Sequence, residues 1–184
     1  IPARESMKTI AYEIIEQMGW NAPDWYIQAV SGGLGPLGVY SGFKELFNMG
    51  LIHRIPKLAI IQVAGCAPMV NAFKAGKDAA EAIVPETSII ILSTGDPGKM
   101  YTYLWKLTQK FGGVMDSVTD AEAFIAMRSA SSSWRRASRL PDSTRKAASS
   151  VLNWSSCWLF SRSAAASSLV SWCRAAVSER SWLT

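Results

Sequence analysis

Histidine is nearly absent from this 184-residue sequence, which holds only His53, and cysteine is scarce, with Cys66, Cys157 and Cys173 alone. Three thiols without a C-x-x-C pair, helped by a single imidazole, do not supply a zinc ligand set, so no metal site is expected. No apolar run approaches the roughly 18 residues of a membrane-spanning helix, so no membrane partner is expected either. The opening Ile1-Pro2-Ala3-Arg4-Glu5 has neither an initiator Met nor a basic-then-apolar export segment. These residues suggest a fragment of a protein of the reducing cytoplasm. Charged residues make up only 18% of the chain against 49% hydrophobic. That ratio excludes wholesale disorder and allows one domain with a core.

Charge is unevenly spread. Residues 1–128 carry 11 Lys+Arg against 12 Asp+Glu, whereas residues 129–184 carry 8 against 2. The same C-terminal stretch holds 17 Ser, 9 Ala and 5 of the 8 Trp, with no Gly, Ile, Tyr or His. No ordinary globular segment has this composition. Ser, Ala, Arg and Trp are what a GC-rich gene spells when read out of register, so the stretch is read as an out-of-frame or disordered tail. The alternative is a basic tail that binds acidic partners, with its Trp residues stacking.

Upstream of the tail, short helical and strand periods alternate between Gly and Pro punctuation. This is the pattern of an α/β fold, a mostly parallel sheet with flanking helices, and residues 1–128 form its domain. Ile10, Ile14 and Met18 mark a helix over 6–18, ended by Gly19. Strands are expected at 25–30, 58–63, 88–92 and 114–118, with helices at 39–49, 67–75 and 99–110 between them. Thr119 followed by Glu122 is a capping box opening a last helix to Met127.

Between the first strand and the next helix lies Ser31-Gly32-Gly33-Leu34-Gly35. Several backbone N–H groups of such a turn can point at one anion on the helix N-terminus, which is phosphate-binding geometry. The loop has neither a G-K-[ST] ending nor a G-x-G-x-x-G pattern. Its neighbours add Glu5-Ser6-Met7-Lys8-Thr9, Gly42-Phe43-Lys44-Glu45-Leu46, Arg54-Ile55-Pro56-Lys57 and Gln62-Val63-Ala64-Gly65-Cys66-Ala67-Pro68. Gly112-Gly113-Val114 and Ser117-Val118-Thr119-Asp120 complete the series. In their order and spacing, over residues 4–128, these segments resemble the threonine synthase branch of the pyridoxal-phosphate enzymes of the tryptophan synthase β-subunit fold.

The resemblance implies a lyase with pyridoxal 5'-phosphate as cofactor, held by a lysine as a Schiff base and used as an electron sink. In threonine synthases the substrate is O-phosphohomoserine, which gives threonine and phosphate. The family's role for the glycine loop carries over to Ser31, Gly32, Gly33, Leu34 and Gly35 as cofactor-phosphate ligands. The family's lysine segment precedes the glycine loop and is not found here, nor is the later Val-Glu-Pro segment or the hydroxyl that faces the pyridine nitrogen. The chain is therefore expected to be non-catalytic as it stands. Lys8 and Lys44, in helices, read as solvated surface residues rather than substitutes. The Ser93-Thr94-Gly95-Asp96-Pro97-Gly98 loop replaces a Gly-Asn-Pro sequence common in threonine synthases, and Asp96 is kept as the substrate-side candidate. His53 reads as a solvated loop residue and Cys66 as a small buried thiol. The expected partner is a small amino-acid substrate, not nucleic acid, with a homodimer considered for the whole enzyme. The competing readings are a cysteate synthase or amino-acid dehydratase of the same fold, and a basic module that binds phosphate or polyanions.

Overall fold

The structure, a computed structural model, describes residues 2–137. The reading of 129–184 as a tail therefore lies, from residue 138 on, outside the described residues. Two helices, α1 (Pro2–Ser6) and α2 (Lys8–Gln17), precede β1 (Trp25–Ala29), α3 (Leu34–Asn48), β2 (Lys57–Val63) and α4 (Pro68–Lys74). A long irregular stretch leads to α5 (Lys99–Phe111), β3 (Gly113–Val118) and α6 (Asp120–Ala137). The strands form a parallel sheet in the order β1-β2-β3, with Trp25 opposite Lys57 and Leu58 opposite Gly113.

A sheet that grows in one direction, joined by right-handed crossovers, places its connecting helices on the same face. The core agrees. Tyr26, Leu58, Ile60 and Met115, every second residue of their strands, share one cluster with Ile14 and Ile15 of α2, Phe43 of α3, Met69 of α4 and Tyr101 and Leu104 of α5. The alternate positions Trp25, Ile27 and Ala59 form a separate small cluster with Ile61 and Val114. Tyr26 meets Phe43 edge-on at 5.8 Å between ring centroids, a favourable quadrupole arrangement.

Helices α1 and α2 lie against α3 because α3 has no side chain where it meets them. A Cβ on Gly38 would come within 2.5 Å of the Arg4 carbonyl oxygen, and one on Gly42 within 2.8 Å of the Ala11 Cβ. These glycines, four apart, make a groove along one side of α3. The Gly42 motif of the sequence is thus a close-packing device.

Four expectations change. The first helix is two, α1 and α2, on either side of Met7. Helix α3 starts at Leu34, five residues before Val39, because Pro36 falls in its first turn, where a missing N–H breaks no intrahelical bond. The segment 88–92 is not a strand. It contains a single 3-10 turn at Ile90–Leu92, and Ile90 and Ile91 are 81% and 83% exposed. A strand exists only beside a hydrogen-bonded neighbour, and the Asp120 carboxylate instead takes the Thr87 hydroxyl and the N–H and hydroxyl of Ser88, at 2.6–2.7 Å. The last helix, finally, does not stop at Met127 but continues to Ala137, across the boundary drawn at residue 128. Its capping box is as expected: the Thr119 hydroxyl accepts the Glu122 N–H at 3.2 Å, and the Glu122 carboxylate accepts the Thr119 N–H at 2.8 Å.

Candidate cofactor-phosphate site

All three parallel strands end on one edge of the sheet, where open α/β folds place their ligands. Strand β1 runs into the glycine loop, β2 into Ala64-Gly65-Cys66-Ala67 and α4, and β3 into Thr119 and α6. Gly33 turns the chain with φ +84° and stands at the N-cap of α3, which no side chain caps. In this left-handed conformation a Cβ would also come within 2.7 Å of Leu104 Cδ1, so glycine is required twice over. The first-turn N–H groups of a helix have no intrahelical acceptor, and they carry the positive end of its dipole.

Two glutamines shape this edge. Gln62, 1% exposed, is the one polar residue in the apolar run of β2. Its Oε1 accepts the N–H groups of Met69 at 3.0 Å and Val70 at 3.2 Å, the otherwise orphaned first turn of α4. Its Nε2 makes a long bond to the Ser31 carbonyl at 3.4 Å. One side chain thus ties the glycine loop to the next helix. Gln28, in β1, accepts the Tyr26 hydroxyl at 3.3 Å through Oε1, while its Nε2 lies where a Gly35 Cβ would sit, 2.4 Å away.

The loop 93–98, far along the chain, reaches the same place. The Ser31 and Thr94 hydroxyls lie 2.5 Å apart, and the Thr94 N–H donates to Ser31 Oγ at 3.2 Å. Thr94 Cγ2 stands at contact distance from the missing Cβ of Gly32. Asp96 is exposed two residues further on, its Oδ1 accepting the Gly98 N–H at 2.9 Å. The Ile83 N–H donates to the Gly95 carbonyl of this loop at 3.0 Å, and nearby the Glu86 N–H donates to the Gly65 carbonyl after β2 at 2.8 Å.

The other sequence candidates lie elsewhere. Lys44 and His53 are exposed, and Cys66 is fully buried, its thiol pushed up by desolvation and so kept protonated. Lys8 is not the solvated residue expected. Its side chain is 17% exposed and its ammonium is held by Glu45 and by Glu5 at 2.5 Å. The bond to Glu45, then that to Glu5, raises Lys8 above the ordinary lysine range. An amine kept protonated is a poor nucleophile for a carbonyl. The Tyr12 hydroxyl joins the same Glu45 carboxylate. Among the described residues no three His, Cys, Asp or Glu side chains are grouped to hold a metal ion, and no helix is long and apolar enough to cross a membrane.

Fold and site together define a parallel α/β protein with a glycine loop and an uncapped helix N-terminus, a candidate anion cradle, at the carboxyl ends of its strands. The profile of the pyridoxal-phosphate dependent enzymes matches residues 3–136, and the chain belongs to that family. It is similar to the threonine synthase of Methanocaldococcus jannaschii, 35% identical over 125 residues, which are 67% of this chain and 31% of that protein. It is also similar to threonine synthase 2, chloroplastic, of Arabidopsis thaliana, 32% identical over 66% of this chain and 24% of that one. The cysteate synthase of Methanosarcina mazei is 28% identical over 68% of this chain and 33% of its own length. The chain thus spans about a quarter to a third of the length of the curated relatives it matches. The solved L-serine ammonia-lyase of Rhizomucor miehei shares the fold at a TM-score of 0.55 and 19% identity, over 82% of this chain and 44% of that one.

The cradle fits the phosphate of the family's cofactor. It offers an uncapped helix N-terminus, hydroxyls at Ser31 and Thr94, and glycines where side chains would fill the approach. Sequence reasoning found the glycine loop but missed Gln28, Gln62 and Thr94. A glutamine inside a buried apolar strand was the available signal for Gln62, because a buried amide must find partners. Nothing local to residues 93–98 marks Thr94.

Proposed function

We propose that this chain carries the cofactor-phosphate segment of a threonine-synthase-like lyase, which converts O-phosphohomoserine to threonine and phosphate. The observation that supports this reading is the convergence of the glycine loop, the uncapped N-terminus of α3 and the 93–98 loop on one strand edge. The similarity to threonine synthases over two thirds of the chain points to the same reaction.

When bound, pyridoxal phosphate supplies an electron sink for a substrate that loses a proton beside its amino group. The backbone N–H groups of Gly32 to Gly35 and the hydroxyl of Ser31 hold the phosphate. The helix dipole contributes about 0.3–2 kcal/mol, with the aligned hydrogen bonds in addition. Asp96, exposed on the adjoining loop, is the residue we assign to meet the substrate. The chain alone turns over no substrate in this reading, since Lys8 is committed to its two glutamates and Lys44 lies exposed on α3.

A chimaera tests the assignment. Residues 4–128 replace the matching segment of the Methanocaldococcus jannaschii threonine synthase, and phosphate release from O-phosphohomoserine is measured. Release is the expected result. A chimaera that binds the cofactor, by its absorbance, yet releases no phosphate overturns the substrate assignment and favours the cysteate synthase or dehydratase reading. The 184-residue chain alone should release none, and release by it would overturn the claim that it lacks the reacting lysine.

A further inference from the structure

We propose that Thr94 is a positioning residue of the cofactor-phosphate cradle, orienting the Ser31 hydroxyl so that its proton is presented to the phosphate. The inference rests on the reading of the glycine loop given above. It adds a residue 63 positions along the chain from Ser31, on a different loop.

The argument is one of lone pairs and protons. A serine hydroxyl has one hydrogen to donate and two lone pairs to accept with. Ser31 Oγ already accepts the Thr94 N–H at 3.2 Å, and Thr94 Oγ1 lies 2.5 Å from it. When the Thr94 hydroxyl donates across that second contact, both acceptor sites of Ser31 Oγ are filled by one residue. The Ser31 proton then has no partner left within the pair and is left to donate to a third group. A phosphate oxygen accepts such a proton in a charge-assisted bond. A rotating hydroxyl would have to be ordered on binding, whereas this one is ordered beforehand.

The backbone is built to keep the two residues together. The carbonyl of Ser31 receives Gln62 Nε2 from one side while Thr94 holds its hydroxyl from the other. Behind Thr94, Gly95 lets the Ile83 carbonyl approach so closely that a Cβ there would lie 2.1 Å from its oxygen. Loop 93–98 is therefore pinned at the residue next to Thr94, and its reach to Ser31 is fixed.

The probe is pyridoxamine 5'-phosphate, which has no aldehyde to react with surface lysines, with unphosphorylated pyridoxamine as control. Its dissociation constant is measured by calorimetry on the full 184-residue chain, the substitutions being T94V, T94S, S31A and the S31A/T94V pair. The parent chain is expected to bind the phosphate ester and not pyridoxamine. T94V, which keeps the shape and the N–H but loses the hydroxyl, should weaken binding about tenfold. T94S should stay within about twofold of the parent. The pair should bind no more weakly than S31A alone, because Thr94 acts through Ser31. Unchanged binding by T94V overturns the proposal. So does T94S binding as weakly as T94V, which would assign Thr94 to packing of its methyl group against Gly32. If the parent chain binds both compounds alike or neither, the phosphate-cradle reading itself fails, and the role of Thr94 with it. Circular dichroism melts of each variant show whether a loss of binding is a loss of fold.

Discussion

Replacing Gln62 by leucine removes the acceptor that serves two backbone N–H groups at once. Met69 and Val70 are 0% and 1% exposed, so water cannot take over the role of Oε1. A buried donor left without a partner costs about 1–3 kcal/mol, and two of them about 2–6. The leucine recovers part of this through its own burial, about 1.5–3 kcal/mol for a fully buried side chain. Taking the middle of each range, the net expectation is a loss of about 2 kcal/mol, a substantial share of the roughly 5–15 kcal/mol that holds a domain folded. In urea unfolding followed by circular dichroism, with a slope of about 1–3 kcal/mol per molar, the midpoint should fall by about 1 M. The Gln62→Glu variant keeps an oxygen for both N–H groups and should fall less. It sets a negative charge beside the Ser31 carbonyl, however, and should lose affinity for pyridoxamine 5'-phosphate. A Q62L midpoint within about 0.2 M of the parent would refute the reasoning, because it would mean that the first turn of α4 has another acceptor.

Gly33→Ala must place a Cβ at φ +84° and 2.7 Å from Leu104 Cδ1, so a loss of about 1–3 kcal/mol is expected, read as a lower melting temperature. A melt equal to the parent's would show that the turn can open without cost. Glu45 is lowered from its ordinary value of 4.5, first by its bond to Lys8 and then by Tyr12. Its stabilisation is present above pH 4.5 and is lost as the pH falls through the lower folded value, so Glu45→Gln should flatten the melting temperature between pH 5 and pH 3. Lys8 is raised, so its share is present throughout that range and is lost only in strong alkali; an acid limb unchanged in Glu45→Gln would locate the pH dependence elsewhere. Ile90 and Ile91, more than four-fifths exposed, should make the chain associate, and changing both to serine should lower light scattering at high concentration while leaving the melting temperature unchanged. A fall in melting temperature would show that the two isoleucines are packed.

Local signals in the chain were enough for most of the architecture. The apolar runs at Trp25 and Leu58 are strands, the four-residue spacing of Ile10 and Ile14 lies on a helix, and Thr119 with Glu122 opens α6 as a capping box does. Each of these features is decided within one or two turns of chain, where backbone sterics and side-chain period suffice. The same is true of the glycine loop, whose composition states that the backbone must approach something closely. The apolar stretch at Ser88 to Leu92 failed for the opposite reason. Its residues suit a strand, but strand pairing is a contact with a distant segment, and at the start of the stretch the Asp120 carboxylate takes the N–H and hydroxyl of Ser88 instead.

Only the tertiary structure made the site a site. Ser31, Gln62 and Thr94 are separated by more than thirty residues at each step, and nothing in the sequence around any of them names the others. They meet because parallel strands joined by crossovers bring every strand's carboxyl end to one edge, so residues far apart in the chain become neighbours there. Lys8 suits a solvated surface position by its local sequence, but its helix meets α3, whose Gly42 lets α2 come close enough for Glu45 to take the ammonium. The chain alone determined most of the elements and the glycine loop between β1 and α3. The packing of those elements decided which side chains stand around that place and which are already engaged.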